Sequence, residues 1–551
     1  MIHQCGIIPI QTPEKSGLRL TGVMGLGDHD SRMRRFLLLT LVSLLLLNGS
    51  AVAVTGSGTE DIPVDSWVYD ALLELSTHGV LPNMLLHTRP LARGEVANAV
   101  REYRDRQTTP SAGVASVLAR LTGEFREELA PAAKIEHRVR LGGGPTARVD
   151  QFRHMLARNR MGFDAIGSFT VSDAAAARVR VRFDSDGRHD SQFHGEYWKE
   201  KFTAWVEQAV TVARWKRLTA AFGREYWRWG FSPHDAMLIS DQSPPFDGLR
   251  LVYRTRNWSY AFHATVLDRM HVFRQDYPSG AGPEGLADRY LVAHRFNWRP
   301  RQNLEIAASE VMVFGGFDRP WQWNYLNPVL PYYWEQLNND TNDNPLWNFE
   351  LSWRISDGFQ VYGEWMIDDF QIDFESEPQQ IGVLAGLIWI PPAFDGRVTL
   401  NAEYQRINTF VYGQGQPWNR YVHYRDLEGE LIGIGSSLGT DADRITVLPL
   451  YHLSRHVDLT GRLDYVRRGE NRISDPQESG VPKGVPFPSG VVERELRVGA
   501  GTRVNYRGQI VADATVGYYQ VENVAHIMGD DLDGLFFRFK LNLLWWKTFG
   551  V

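Results

Sequence analysis

From about residue 136 to the end of the chain, apolar and polar residues alternate with a period of two. Between 178 and 183, Val179, Val181 and Phe183 alternate with three arginines. The same alternation returns in three later segments: 397–404, 496–505 and 537–545. Such a strand has one apolar and one polar face, so the pattern predicts a long succession of antiparallel strands.

The length of this succession constrains the fold class. A soluble sheet of about 400 residues would divide into domains, whereas a transmembrane barrel repeats strands of about 9–11 residues with apolar side chains outward. Closure is required because each unpaired backbone group facing lipid costs several kcal/mol. At roughly 22 residues per strand and connection, the segment predicts a large antiparallel β-barrel of about 18 strands. The 18 Trp and 21 Tyr residues then belong in girdles at the two membrane interfaces.

The first residues have the features of a secretory signal. Arg34 and Arg35 precede the apolar run 36–47, and small residues at 51–53 suit a signal peptidase. The run is too short for a spanning helix, which needs about 20 residues. We therefore expect 1–53 to hold an over-called start plus a signal peptide cleaved after Ala53, and the mature chain to reach the outer membrane. A single-pass anchor is the alternative.

Helical spacing fills the segment between the signal and the strands. It predicts helices over 67–78, over 94–103 and over the apolar positions from 114 to 129, the last with Ser111 as N-cap. Three short helices form a small bundle, which we assign to 54–135, leaving 136–551 for the barrel. The stretch from 61 to 100 also resembles half of an S-layer homology motif. Packing is the expected role of this helix pair, and binding of peptidoglycan is the alternative.

Composition and motifs argue against several other classes. A net charge of −6 without long single-sign runs gives no support for nucleic-acid binding. The single cysteine, Cys5, lies in the expected leader, so disulfides, thiolate catalysis and Cys-ligated zinc are not expected in the mature chain. A mean hydropathy of −0.31 excludes a multi-helix membrane protein.

An acidic cluster at Glu364, Asp368, Asp369 and Asp373 raises the question of catalysis. Glycosidases use two carboxylates about 5–10 Å apart. In an extended strand, however, Glu364 and Asp368 are about 13 Å apart. The cluster has too few ligands for Ca²⁺, and the chain shows no nucleophile-elbow, zinc-protease or Walker motif. We therefore expect a protein that is not an enzyme and binds no cofactor or metal.

Several motifs resemble those of the Wzi capsule-assembly family. They are Gly223-Arg224-Glu225-Tyr226-Trp227-Arg228-Trp229-Gly230, then 238–241, 244–246, 327–330, 343–344 and 362–370. The resemblance covers most of the chain after residue 60. It implies an 18-stranded outer-membrane barrel with a helical bundle at its periplasmic end and a lumen blocked by loops. It also implies a lectin that organises capsular or exopolysaccharide at the cell surface without catalysis.

The motif residues themselves have two interpretations. We expect them to be structural, forming a strand–turn–strand junction with an Arg–Asp pair inside a charged lumen; a ligand site is the alternative. The residues concerned are Gly223, Arg224, Trp229, Gly230, Ser240, Asp241, Phe246, Glu364, Asp368 and Asp369.

Three stretches break the alternation and are expected to be surface loops: 315–347, 408–443 and 467–493. Long barrel loops often carry function. In the second loop we expect exposed aromatic rings to stack on sugar rings and arginines to bind acidic groups. The candidates are Trp418, Arg420, Tyr421, Tyr424 and Arg425. For each ring, membrane-girdle or loop packing is the alternative, and for the whole protein it is an outer-membrane porin or export channel whose charged inner face lines an open pore.

Overall fold

The computed structural model describes residues 60–81, 84–106, 109–130, 137–153, 158–171, 174–187, 193, 202–339, 341–369, 379–425, 430–475 and 485–550. Within these ranges, every helix is too short or too polar to cross a membrane.

Among the described residues, four of the five α-helices precede the barrel and confirm the predicted bundle. Ser66 and Ser111 accept hydrogen bonds from the backbone N–H groups of Val68 and Val114, so each caps a helix as its residue type favours. The apolar faces form one core that includes Leu72, Val96 and Leu121. The helices are α1 Trp67–Thr77, α2 Arg93–Asp105, α3 Ala112–Glu124, α4 Arg126–Leu129 and, between two barrel strands, α5 Tyr332–Asn339.

The described residues form a closed antiparallel barrel of eighteen strands, as predicted. The last strand is interrupted at Leu544, and both of its parts pair with the first strand, which closes the barrel. The strands are β1 His137–Gln151, β2 Arg158–Val171, β3 Ala175–Asp184, β4 Thr203–Trp215, β5 Leu218–Glu225, β6 Phe246–Arg254, β7 Trp258–Val272, β8 Gly285–Arg301, β9 Leu304–Gly316, β10 Asn344–Ser356, β11 Phe359–Asp369, β12 Gln380–Trp389, β13 Val398–Ile407, β14 Ala442–His452, β15 Val457–Arg468, β16 Glu493–Tyr506, β17 Ile510–Glu522 and β18 Leu532–Leu543 with Trp545–Gly550.

The two ends of the barrel differ in their connections. At the short-turn end, two or three residues join β4 to β5, β6 to β7 and β8 to β9. At the long-loop end, the segments 226–245, 317–343 and 408–441 join β5 to β6, β9 to β10 and β13 to β14. Outer-membrane barrels have short periplasmic turns and long extracellular loops. The short-turn end therefore corresponds to the periplasmic side.

The outward face of the wall is apolar and aromatic. At the short-turn end an aromatic girdle of exposed tryptophans marks the ends of successive strands, as expected for a membrane interface. These are Trp215, Trp258, Trp298, Trp353 and Trp389. The excess of aromatic residues in the sequence thus has a structural place.

The helical bundle closes the short-turn end. The N–H of Gly113 donates to the Asp395 carbonyl at 3.0 Å, and the N–H of Gly358 donates to Thr77 at 2.9 Å. Buried ion pairs and hydrogen bonds join the bundle to the inner wall around its circumference: Glu60–Arg140, Asp61–Arg250, Thr88–Arg295, Thr77–Gln360, Glu74–His452 and Arg120–Asp458. The partners come from strands on all sides, so the bundle spans the lumen.

Candidate functional site

The described parts of two long loops, 226–245 and 408–441, fold into the lumen and together form what we call the plug. Trp227, Trp229 and Phe231 from the first loop and Tyr412 and Tyr421 from the second are almost fully buried in one apolar core. Inward-facing residues of the wall complete this core: Phe246, Leu267, Leu291, Val311, Val313, Leu346, Met366, Leu384 and Ile407. The loop 408–441 is therefore largely internal, and its assignment as a surface loop was wrong.

Aromatic stacking fixes the first plug loop against the wall. Trp227 stacks on Phe246 with ring centroids 4.7 Å apart and an interplanar angle of 9°. The His263 ring of β7 lies 4.1 Å from Trp227 and 4.7 Å from Trp229. Buried aromatic pairs of this kind contribute about 0.5–1.5 kcal/mol each beyond their buried area. The plug is thus packed like a protein core.

Buried carboxylates of the wall anchor the backbone of the plug. Glu364 Oε1 accepts hydrogen bonds from the N–H groups of Phe231 at 2.7 Å and Ser232 at 3.2 Å. Glu403 accepts from the Ser232 hydroxyl at 2.6 Å. Asp368 accepts from the N–H of Tyr412 in the second loop. These carboxylates satisfy loop donors that water would otherwise have to satisfy.

Two motif glycines are required by geometry. Gly230 has φ +150°, and a Cβ there would lie 2.9 Å from Glu364 Oε1. Gly223 has φ +129°, and a Cβ there would lie 2.1 Å from the Ala209 carbonyl oxygen. Any other residue at these positions would be strained and would displace the neighbouring strand or carboxylate.

The structure separates the motif residues that sequence reasoning had grouped. Trp229, Gly230 and Ser240 lie in the plug, and Phe246 and Glu364 lie on the wall against it. Asp369 is exposed at the end of β11.

The expected Arg–Asp pair inside the lumen does exist, but with a different arginine. Arg228 pairs with Asp241 at 3.0 Å and also donates to the carbonyls of Ser232 and Asp235. Arg224 faces outward on β5 and forms an ion pair there with Asp247. Strand alternation explains the difference, because Arg224 is one residue from inward-facing Glu225.

The expected exposure of two candidate rings, Tyr421 and Tyr424, was wrong. Tyr421 and Arg420 are fully buried, and Tyr424 is nearly so. The Tyr421 hydroxyl donates to the Leu238 carbonyl at 2.6 Å, and the Tyr424 hydroxyl donates to Phe193 at 2.8 Å. Burial raises the pKa of Tyr421 well above 10, which keeps it a neutral donor. The cause is the inward path of the loop, and these side chains hold the plug together.

Arg420 and Arg425 are the two arginines among the candidate binding residues. Arg420 Nη2 donates to the Asp276 carbonyl at 2.7 Å, which ties the plug to the loop after β7. Arg425 ends the short strand Val422–Arg425, and its side chain lies outside the described part of the structure.

Trp418 differs from the other candidates because it is only partly buried. Its ring lies between Tyr277 and Phe317, with centroids at 6.3 Å and 5.3 Å. These three rings, which we call the aromatic cluster, come from three different loops at the long-loop end. Below them, Arg289 Nε donates to the Trp418 carbonyl at 2.8 Å and Nη2 donates to the Val422 carbonyl at 2.7 Å. Sequence reasoning missed Tyr277, Phe317 and Arg289, because their proximity depends on the loop path.

The other side of the lumen is lined differently. On β15–β18 and β1 many of the inward residues are small or charged, and several of the charged ones remain exposed. The exposed fraction of the side chain is 42% for Arg462, 56% for Arg538 and 50% for Asp150. Across the described ranges, no group of three or more His, Cys, Asp or Glu side chains is arranged to hold a metal ion.

These features together define a class. A closed barrel with an apolar, girdled outer wall, a charged inner wall and long loops at one end is an outer-membrane β-barrel, here with its lumen filled by its own loops and helices. The chain belongs to the family described as capsule assembly protein Wzi, whose family model matches residues 144–533.

Three solved structures are similar to this chain to different degrees, and the first of them shows the same fold. Wzi from Escherichia coli, described as an outer-membrane protein involved in group 1 capsule assembly and a carbohydrate-binding β-barrel, has a TM-score of 0.59 and 17% identity, covering 89% of this chain and 99% of that chain. OccAB4 from Acinetobacter baumannii has a TM-score of 0.44 and 10% identity, covering 75% and 98%. OprD from Pseudomonas aeruginosa has a TM-score of 0.42 and 7% identity, covering 75% and 94%. A search of curated protein sequences finds no match.

Proposed function

We propose that this protein binds and organises capsular polysaccharide or exopolysaccharide at the outer face of the outer membrane, as a lectin-like barrel without catalytic activity. Family membership across residues 144–533 carries the proposal. The Escherichia coli member is described as a carbohydrate-binding barrel involved in capsule assembly. The partners are the polysaccharide and the lipid of the outer membrane.

The filled lumen supports binding in preference to transport. Trp227, Trp229 and Tyr421 occupy the centre of the barrel in a packed core, and the bundle spans the short-turn end. A polymer or solute would have to displace both to pass. Removing a packed aromatic side chain from its core costs about 3–5 kcal/mol. The arrangement therefore favours contact with a polymer at the long-loop end.

The aromatic cluster supplies the chemistry for that contact. Sugar rings present flat C–H faces that stack on aromatic rings, and Trp418 is partly open between Tyr277 and Phe317. Arg289 donates to the carbonyls of Trp418 itself and of Val422, so the backbone that carries the ring is held in place before any ligand arrives. Of the five candidate binding residues, Trp418 is the one we retain as a sugar platform.

The buried carboxylates support a non-catalytic role. Glu350 lies directly opposite Glu364 across β10 and β11, but it pairs with Arg295 at 2.9 Å. Glu364 already accepts two backbone hydrogen bonds. Both carboxylates are buried beneath the plug, away from any surface polymer. Their contacts account for them as structural groups.

The segment boundaries belong to the same proposal. A signal peptide cleaved after Ala53 would deliver the bundle, 54–135, and the barrel, 136–551, to the outer membrane. In the S-layer-like stretch, Tyr69, Arg89 and Leu91 are buried and interact with one another. The Arg89 guanidinium lies over the Tyr69 ring, and the N–H of Leu91 donates to the Tyr69 hydroxyl. This packing supports a structural role for the stretch over peptidoglycan binding.

A binding measurement tests the sugar platform. Purified protein in detergent is titrated with surface polysaccharide from its host, alongside Trp418→Ala and the control Trp389→Ala, which removes a lipid-facing tryptophan at the opposite end. Loss of one stacking contact predicts about fivefold weaker binding for Trp418→Ala and unchanged binding for the control. Equal affinity of Trp418→Ala and the parent protein would contradict the assignment.

One observation favours a second candidate, a pore. Arg462, Arg538 and Asp150 stay exposed on the inner wall, as they would along a water-filled path. Reconstitution in planar lipid bilayers separates the two functions. The proposed lectin gives no stepwise conductance, whereas discrete openings would identify a porin or export channel.

A further inference from the structure

The loop 317–343, which we call the strap, leaves the long-loop end and lies on the outside of the wall. Strand alternation establishes the side. In β9, Val311 and Val313 face the lumen in the plug core, so Met312 and Phe314 face outward. Both outward residues are nevertheless fully buried, in a cluster with Tyr325 and Tyr332 of the strap. The strap therefore covers wall surface that would otherwise meet lipid.

Ring contacts and hydrogen bonds fix the strap across three strands. The ring centroids of Phe314 on β9 and Tyr325 in the strap are 4.7 Å apart. Tyr290 of β8 donates through its hydroxyl to the Arg319 carbonyl at 3.0 Å, and Tyr260 of β7 donates to the Pro328 carbonyl. The strap thus spans the outer faces of β7, β8 and β9 in a defined position.

A buried carboxylate on the outer wall holds the helix of the strap. Glu310 faces outward and accepts from the first N–H groups of α5, Tyr332 at 2.9 Å and Tyr333 at 2.8 Å. It also accepts from Trp347 Nε1 at 2.9 Å and lies 3.0 Å from His294 Nε2. A carboxylate facing lipid is costly, and a helix N-terminus favours negative charge. The strap and Glu310 therefore stabilise each other.

The outer surface of the strap is itself apolar. Four large side chains are exposed: Trp323 by 61%, Val329 by 76%, Trp334 by 59% and Leu337 by 57%. Trp334 and Leu337 are three residues apart on α5 and so share a face. A cluster of this kind is unusual on a surface that faces water.

The surroundings of these residues identify the occupant. Exposed Asn327, Asn338 and Asn339 adjoin the apolar side chains, and much of the strap is irregular backbone, which does not occur against the acyl core. Tryptophan beside polar groups is typical of the boundary between headgroups and acyl chains. On the strands beside and beneath the strap, the outward side chains of Leu286 on β8 and Phe349 on β10 are exposed, as on a wall that meets lipid.

We propose that the strap is a lipid-docking element that places Trp323, Val329, Trp334 and Leu337 at the headgroup–acyl boundary of the outer leaflet. The strap enlarges the lipid-contacting surface of the barrel on the outer side of β7–β9. It thereby fixes how deeply this side of the long-loop end lies in the membrane. The claim is independent of polysaccharide binding, since the aromatic cluster is not part of the apolar face.

Spin labels measure the predicted depth. Trp334→Cys and Leu337→Cys are made as separate variants, each carries one nitroxide, and each protein is reconstituted in phosphatidylcholine vesicles. Phe349→Cys is the lipid-facing reference, and Met528→Cys, 81% exposed in the loop 523–531 at the long-loop end, is the aqueous reference. Collision with dissolved oxygen and with a water-soluble nickel chelate reports the environment of each label.

The proposal predicts oxygen accessibility near that of Phe349→Cys and nickel accessibility well below that of Met528→Cys for both strap labels. Nickel accessibility equal to that of Met528→Cys would overturn it. So would dipolar broadening between labels of neighbouring chains, because it would assign the apolar face to a second copy. Using two labelled positions keeps the test valid if one variant fails to fold.

Discussion

The inner wall of the barrel has two parts that differ in how far they are covered. On the covered arc, β6–β13, apolar inward residues such as Leu291 and Val311 are buried beneath the plug, together with charged ones such as Glu364. On the exposed arc, β15–β18 and β1, inward residues such as Arg462 and Arg538 are charged and remain exposed. Barrel closure requires only that outward side chains suit lipid. The inward positions instead reflect what fills the lumen next to them.

Strand β9 shows the consequence most clearly. Its run Val311–Met312–Val313–Phe314 does not alternate, and all four side chains are buried. The two valines pack on the plug, and the other two residues pack under the strap. A strand covered on both faces has a continuous apolar run, as in buried parallel sheets. Loss of alternation here marks the part of the wall that lies between two packed loops.

The largest predicted effect is on the core of the covered arc. Trp229→Ala leaves a cavity beside His263 in a fully buried site, so we expect the free energy of unfolding to fall by about 3–5 kcal/mol. Urea unfolding in detergent micelles, followed by tryptophan fluorescence, measures it. Trp389→Ala, on the lipid side, is the matched control. Equal losses in the two variants would show that the plug is not a packed core.

The next effect depends on pH and concerns the bundle. Burial alone would raise the pKa of Glu60, but Arg178, Arg140 and Arg93 outweigh it and lower the pKa to about 2. A lowered folded-state pKa gives stability that is present above the unfolded value near 4.5 and is lost as the pH falls towards 2. We expect a contribution of about 3 kcal/mol at neutral pH.

Unfolding measured from pH 6 to pH 2 tests this contribution. The free energy of unfolding of the wild type should fall steadily below about pH 4.5. That of Glu60→Gln should be lower already at pH 6 and should fall less on acidification. Parallel curves for the two proteins would mean that Glu60 is not ion-paired when the bundle is docked.

A smaller effect is expected at the anchor of the plug backbone. Glu364→Ala leaves the N–H groups of Phe231 and Ser232 without their acceptor, but it also removes a buried carboxyl group that lies opposite Glu350. Because these two effects act in opposite directions, we expect the free energy of unfolding to fall by about 2 kcal/mol. Glu364→Gln, which keeps an acceptor oxygen, should recover at least half. Limited proteolysis within 226–245 is the second readout, and protection equal to wild type in Glu364→Ala would contradict the anchoring role.

The smallest effect is expected on the exposed arc. Arg538→Ala removes a side chain that is 56% exposed and paired at 3.4 Å with half-exposed Asp150. Surface pairs of this kind contribute little, so the change in the free energy of unfolding should stay within about 0.5 kcal/mol. The same unfolding assay applies, and a loss near that of Trp229→Ala would erase the distinction between the two arcs.

The sequence alone predicted the framework well, because the framework depends on local periodicity. Alternation predicted the strands and their number, and the loops 317–343 and 408–441 fall inside the predicted breaks. Ser111 as a helix cap was also correct, since its hydrogen bond reaches only three residues along the chain. Such features depend on neighbours in sequence.

The path of the loops could not be predicted in the same way. Tyr421 is buried in the plug core, where its hydroxyl donates to the carbonyl of Leu238, a residue 183 positions away in the sequence. A tyrosine that stacks on a sugar and one that packs inside a lumen have the same local sequence pattern. One signal was available, since Val411, Ile434 and Leu438 make the loop 408–441 too apolar for full exposure, and all three are buried.

The most direct test of the central claim is the distribution of surface polysaccharide between cell pellet and medium after deletion of the gene in its host, with the wild-type gene restored as control. If the barrel holds polymer at the cell surface, total polymer stays constant, its share in the medium rises on deletion, and the restored gene returns it to the pellet. An unchanged distribution at equal polymer production would contradict the proposed function while leaving the plugged barrel intact.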